Sequence, residues 1–464
     1  MKDALWLAEE AAAATGGRLV GSDSWIASGV SIDTRSLAKG DLFVALTDVR
    51  DGHDFLDAAY AAGACAALVR HGDKAAGPAL VVDDVLEGLR RLGDAARERS
   101  NAKRIAITGS VGKTSTKEAV ATCLRACGPT HAAVKSFNNH WGVPLTLALM
   151  PKTAQFGVFE IGMNHRGEIL PLTTLVKPHI AIITTIAPAH IEYMGSLENI
   201  ADEKGDVYAG LEPEGVALAP NEAPCASRLL AAAEAHAATI IRFGREKDCE
   251  ARLLKFDMVE GGAVAEADIL GRQIRYRIGA EGAHWALNSV AALAAADLAG
   301  GDLFAAAHAL AEMKAIDGRG VAREISAGFG SFMLVDDAYN ANPASMAAAL
   351  ATLGARKASG RRIAALGDML ELGADERAYH AGLSAPIQSS GVDLVFCAGP
   401  RMAALYETLP SALRGGYAES ADALIPVITG ALRAGDVVLV KGSNGSRMKQ
   451  VVDALSKMHA GEAT

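Results

Sequence analysis

The stretch KRIAITGSVGKTSTKEAVATCLR, residues 103–125, constrains the fold more than any other segment. An apolar run, a glycine turn and a helical segment follow one another without a spacer. That order predicts a buried strand ending at Thr108, a tight loop and a helix stopped by Gly128-Pro129. FGVFE (156–160) and HIAIITTI (179–186) are further candidate buried strands, again separated by helical segments. Alternation of this kind fits a parallel sheet covered on both faces. The loop carries Gly112-Lys113-Thr114 but departs from the full Walker spacing. The position five residues ahead of Gly112 is Ile107, and the nearest upstream glycine is Gly109.

In that context backbone N–H groups and a helix N-terminus face phosphate oxygens. Gly109, Ser110, Val111, Gly112, Lys113, Thr114 and Ser115 form the candidate phosphate loop. Lys113 would reach the β- and γ-phosphates, and the hydroxyl of Thr114 or Ser115 would meet Mg²⁺. The competing reading is a chance Gly-Lys-Thr in a surface loop.

At 464 residues the chain exceeds one core and suggests about three domains. A charged break, RERSNAK (97–103), and a second, IDGRG (316–320), divide it into 1–100, 101–316 and 317–464. The first part holds short strands such as DLFVAL and CAALV. In the second, residues 250–279 switch to two-residue alternation with glycine turns, which predicts a small antiparallel patch before an Ala-rich helix from about 286 to 298. The third part, with FMLVDD, RRIAALG, LVFCAG and DVVLVKG, reads as a second doubly wound unit and lacks GxGxxG. The fold class is therefore α/β in three domains.

A formal charge of −9 without a basic tract argues against a nucleic-acid or membrane binder. No run reaches the ~20 apolar residues of a spanning helix. The N-terminus lacks the basic start and apolar core of a signal peptide, and six scattered cysteines read as reduced thiols. A cytoplasmic protein is expected, and nothing demands more than a monomer.

Other residues are ambiguous by themselves. Glu160 ends a buried strand beside the loop, placed either to hold a metal or to face water. His190 is ambiguous between a ligand and a hydrogen-bonded structural residue, the commoner role of a lone histidine, and Lys204, among acids, reads as a solvated helix lysine. VDDAYNANPAS (335–345) crowds polar groups just after a strand, although turn chemistry alone accounts for NANP.

Taken in order, ITGSVGKTSTK, SFNNHWGVP, FEIGMNHRGEI, TTIAPAHIEYMGSLENIADEKGD, GAHWALNS, DGRG, DDAYNANPASM and GDMLELG resemble the motifs of the Mur ligases, the enzymes that build the peptide of bacterial peptidoglycan. DDAYNANPAS and the absence of DNPR resemble the branch that joins D-Ala-D-Ala to UDP-N-acetylmuramoyl-tripeptide. The resemblance implies a UDP-sugar-binding N-terminal domain, a central ATP-binding domain and a Rossmann-like C-terminal domain. It also implies ATP-driven amide formation through an acyl phosphate, with two Mg²⁺ ions.

Residue by residue, it implies that Lys113 contacts phosphates and Thr114 a Mg²⁺, with Glu160 and His190 at a second metal. Lys204 would be carbamylated and bridge the metals. Arg319 would reach the ATP phosphates, Asp337 would lie near the nucleotide, and Asn288, beside His284, near adenine. Asn138, Asn139 and His140 would face the acyl-phosphate region, with Tyr339, Asn340 and Asn342 in a closing loop. Ser31, Asp33, Thr34, Arg35, Asp51, Gly52 and His53 lie in the UDP-sugar region. Asp206 and Asn444 depart from the family's glutamate and arginine. The alternatives are a related ATP-dependent ligase and a P-loop phosphotransferase or regulatory NTPase that makes no amide bond.

Overall fold

The computed structural model describes residues 4–71, 76–134 and 136–458. Strand Lys103–Thr108 lies inside a nine-stranded sheet, with Ile180–Ile183 on one side and Phe156–Glu160 on the other. Both pairings are parallel, Glu160 opposite Ile107 and Ile183 opposite Thr108. That register brings the glycine loop, Glu160 and Thr184 to one edge of the sheet. Every residue of Phe156–Glu160 and Ile180–Ile183 is buried, the consequence of helices on both faces.

The antiparallel segment is an extension of this sheet and not a separate patch. Ala251–Val259 pairs parallel with Thr239–Gly244 and then antiparallel with Gly262–Ile269, which pairs with Arg272–Ile278. Alternate residues of the last two strands are buried in the apolar cluster that holds the Trp285–Leu298 helix.

N-terminal to it, the strands Arg18–Val20, Ala79–Val81, Ala66–Val69, Asp41–Val44 and Gly29–Ser31 form a second sheet in that spatial order. Helix Val85–Glu98 starts at Asp84, whose carboxylate accepts from Glu87 N–H at 2.9 Å. It buries Leu89, Leu92 and Ala96 in a cluster that also contains Leu145 and Ala148 of the central region. The Trp6 indole N–H donates to the Ala148 carbonyl at 2.9 Å. The charged stretch that reads as a linker is therefore partly a docking element. Arg97 is buried and donates to the Leu175 carbonyl of the central region.

The C-terminal sheet has six strands ordered Val321–Ala327, Gly330–Asp337, Val437–Lys441, Arg362–Gly367, Leu394–Ala398, Arg414–Ala418, with only the first antiparallel. Helix Pro343–Ala355 packs on one face, and Lys449–Ser456, after the central strand, on the other. Helices leaving to opposite faces open a crevice at the strand carboxyl ends, where α/β sheets take ligands.

Candidate functional site

Two glycines shape the loop. Gly109 has φ 143°, and a Cβ there would stand 1.9 Å from Thr184 Oγ1. Gly112 has φ 86° and caps helix Lys113–Arg125 in the left-handed region, with no side chain closing the helix end. Thr184 Oγ1 donates to the Val111 carbonyl at 2.6 Å, and Ser110 N–H to the Thr185 carbonyl at 2.9 Å, so the neighbouring strand's exit anchors the loop. Lys113 folds back on the Gly109 carbonyl at 2.7 Å. Thr108 Oγ1, Ser110 Oγ, Thr116 Oγ1 and Asn288 Nδ2 are buried without a hydrogen-bond partner among the described residues. Four such atoms around one loop are a cost unless a ligand satisfies some of them.

Beside the loop, Thr114 Oγ1 donates to Glu160 Oε2 and Asn138 Nδ2 to Glu160 Oε1, both at 2.8 Å. Glu160 and Lys204 are each 1 % exposed. The reading of Lys204 as a solvated lysine is thus corrected: helix Leu197–Gly205 turns it inward with Ile200 and Ala201. Burial, reinforced by Lys113, pushes the Lys204 amine well below the usual lysine range against a weaker pull from Glu203. Burial also lowers Lys113, with Glu160 opposing and Arg319 assisting. Burial holds the His190 imidazole down although Glu371 raises it; Lys113 and Lys204 lower it further. His190 Nδ1 is hydrogen-bonded to Glu371 Oε2, from the loop after strand Arg362–Gly367, and not to Glu160.

The C-terminal residues close over the loop. A cleft is lined by the loop, His284, Arg319, Asp337, Tyr339 and Lys441, among others. The Arg319 guanidinium lies 4.6 Å from the centre of the Tyr339 ring. Lys441 Nζ pairs with Asp337 at 2.8 Å and donates to the Asn340 carbonyl at 2.9 Å. Burial raises the Asp337 carboxyl in spite of Lys441. The His284 imidazole is exposed within the cleft, and the desolvation the cleft walls impose, with Lys441 and Arg319, lowers it to about 4.

Some expected ligand contacts are engaged in local structure. Asn342 caps helix Pro343–Ala355 in a reciprocal pair with Ser345, although it also lines the cleft. The Asn139 side chain accepts from Gly142 N–H at 2.9 Å, and His140 stands exposed with its ring edge on Trp141.

The N-terminal residues do not line this cleft. Ser31 accepts from Asp33 N–H at 3.3 Å, Asp33 pairs with Arg35 at 2.7 Å, and Thr34 sits half-buried in their turn. Asp51 accepts from His53 N–H and Nδ1, which holds its carboxyl down to about 2. Gly52 approaches the Leu46 carbonyl where a Cβ would stand 2.4 Å away.

Residues 107–296 match the Mur ligase middle domain, and residues 324–444 the Mur ligase glutamate ligase domain. The UDP-N-acetylmuramoyl-tripeptide–D-alanyl-D-alanine ligase of Rickettsia prowazekii is 33 % identical over 429 residues, 91 % of this chain and 94 % of the relative. The chain belongs to the Mur ligase family. The ligase of the same name from Escherichia coli is also 33 % identical, over 95 % of this chain and 96 % of its own. The crystal structure of MurF from Acinetobacter baumannii superposes with a TM-score of 0.85 at 28 % identity, covering 97 % of this chain and 99 % of that one. The Mur ligase architecture of three α/β units is thus the one observed.

Sequence reasoning missed Glu371, Lys441 and Thr184 as contributors. The signal for Glu371 was present, in a glycine-bearing strand-end loop, but its partner is 181 positions away. Thr184 opens the TTIAPAH segment, in which only His190 had been singled out.

Proposed function

We propose that this Mur ligase joins D-Ala-D-Ala to UDP-N-acetylmuramoyl-tripeptide at the expense of ATP, giving the pentapeptide, ADP and phosphate in peptidoglycan precursor synthesis. The observation that carries the reading is the cleft in which the glycine loop meets Arg319, Asp337 and the Tyr339 loop. It agrees with the near full-length similarity to ligases of that name. The tripeptide carboxylate takes the γ-phosphoryl group to become an acyl phosphate, and the amine then displaces phosphate.

This chain's residues position groups and neutralise charge. The orphaned loop atoms and the left-handed glycines fit a phosphate chain. Lys113, released from the Gly109 carbonyl, meets the β- and γ-phosphates, and Arg319 approaches from the opposite wall. Asn288 and His284 border the base, and Asp337 the nucleotide. Asn138, Asn139, His140, Tyr339, Asn340 and Asn342 surround the reacting carboxyl and the incoming amine. Ser31, Asp33, Thr34, Arg35, Asp51, Gly52 and His53 belong to the UDP-sugar side. The three units divide near residues 100 and 316.

For Mg²⁺, the fit rests on oxygen chemistry. Thr114 Oγ1 and the Glu160 carboxylate converge, although among the described residues no three His, Cys, Asp or Glu side chains form a ready cage. Lys204 supplies the missing anion. A buried amine beside Lys113 is disfavoured as an ammonium, and the neutral amine is the form that captures CO₂ as a carbamate. Thr114, Glu160, His190 and carbamylated Lys204 would hold two Mg²⁺ ions, which neutralise charge on phosphate and carboxylate when bound.

The test is phosphate release from ATP with UDP-muramoyl-tripeptide while the amine is varied. Release that requires D-Ala-D-Ala, with the pentapeptide seen by mass, is expected. Release with diaminopimelate, lysine or glutamate instead would move the substrate within the family. Release without any amine would restore the NTPase reading.

A further inference from the structure

The bridge between His190 and Glu371 crosses from the central sheet to the C-terminal one, and its two ends share an unusual backbone. His190 has φ 59° and Glu371 φ 62°, two of six non-glycine residues in the left-handed region among the described residues. Both conformations are held by mutual contacts. Glu192 N–H donates to the Glu371 carbonyl at 3.2 Å, and Tyr193 and Met194 N–H both donate to the His190 carbonyl at 3.1 Å. A Cβ on Gly373 would come within 3.4 Å of Glu192 Cα, so the two loops mesh at backbone level. Behind Glu371, Leu370 N–H donates to Ser443 Oγ at 3.0 Å and Ser443 N–H to the Asp368 carbonyl at 3.0 Å, tying the loop to the strand-end crevice. Strained residues that neighbours over-determine are typical of working sites.

We infer that Glu371 is a positioning residue that makes docking of the C-terminal unit the event that orients His190. A carboxylate accepting from Nδ1 fixes the Nδ1–H tautomer and leaves the Nε2 lone pair free, and Nε2 has no hydrogen-bond partner among the described residues. Without the bridge the ring samples both tautomers and several rotamers. With it, the ring is held in one orientation, within electrostatic reach of Lys113 and Lys204, only while the loop of residues 367–373 is in place. The inference rests on the proposed function for its kinetic readout but not for its spectroscopic one.

The experiment compares wild type, Glu371→Ala and Glu371→Gln by ¹⁵N-histidine NMR, with His190 assigned from the signal lost in His190→Ala. Steady-state kinetics with each substrate varied accompany the spectra. The wild type should show the Nδ1–H tautomer. Glu371→Ala should show a tautomer mixture and a kcat lower by about 10- to 100-fold, the usual effect of losing an outer-shell partner, with KM for ATP unchanged. Glu371→Gln, whose amide can either accept from or donate to Nδ1, should show part of the Nε2–H tautomer and a rate between those of wild type and Glu371→Ala. An unchanged tautomer in Glu371→Ala overturns the inference, whatever happens to activity. So does a loss confined to KM for D-Ala-D-Ala, which would make Glu371 a substrate contact. If wild type itself shows no D-Ala-D-Ala-dependent turnover, the proposed function fails while the tautomer comparison still decides the clamp. If Glu371→Ala melts early, Glu371→Gln and Glu371→Leu carry the same comparison.

Discussion

Lys204 and Lys113 lie within electrostatic reach of each other, where burial makes two ammonium groups costly. If Lys204 carries a carbamate, Lys204→Ala should lower kcat on the order of 10²- to 10³-fold, as removal of a preorganised charge does. Added short carboxylates should restore part of the rate. Full activity of the variant without them would end the metal-bridge role. A second residue-scale expectation concerns His179, whose Nδ1 accepts from Arg104 N–H at 3.1 Å and therefore must be neutral. Burial, with Arg104 and Lys103, lowers it to about 4. Its folded value lies below the ordinary 6.5, so its stabilising share is complete above pH 6.5 and is lost as pH falls toward 4. Discounted for partial exposure, this share is roughly 1–2 kcal/mol. His179→Asn should flatten the melting-temperature profile in that window, and an unchanged profile would assign the acid sensitivity elsewhere. At this scale the sequence was informative about residue type and poor about surroundings. Lys204 reads as solvated because its neighbours in the chain are acids, whereas in space burial and the Lys113 ammonium outweigh the pull of Glu203.

At the scale of elements, the strand–loop–helix unit of residues 103–125 was legible, since strand, glycine turn and helix are consecutive and each has a local cause. Gly109→Ala should abolish nucleotide binding measured by calorimetry and cost about 1–3 kcal/mol of stability through the forced left-handed backbone. Retained ATP affinity would mean that the loop tolerates a Cβ by moving Thr184. Asn342→Ala removes the side-chain half of the capping pair, leaving the Asn342 N–H to Ser345 Oγ bond, and should destabilise by about 1 kcal/mol in denaturant titration. If it lowers KM-normalised rate without any change in stability, the residue acts on substrate and not as a cap. The antiparallel strands of 251–278 were visible as alternation, but their attachment to the sheet was not. Edge pairing between Phe243 and Ala251 has no sequence signature beyond a buried strand.

At the scale of the whole molecule, the cleft needs two units at once, because the glycine loop and Arg319 stand on different sheets. Gly318 and Gly320, with φ 72° and 86°, flank Arg319 in the connecting turn and supply the freedom of a hinge. Small-angle scattering should show compaction when an ATP analogue and the muropeptide are bound together. No change in radius of gyration would count against closure.

The sequence by itself determined the strand and helix order, the glycine loop and, through the ordered motifs, the family, because these depend on neighbours in the chain. Only the tertiary structure decided that Arg97 docks the first unit, that Lys204 is buried beside Lys113 and that Glu371 meets His190. Each of these depends on which surfaces face one another when separate sheets pack, and burial and charge at such contacts are properties of space rather than of order along the chain.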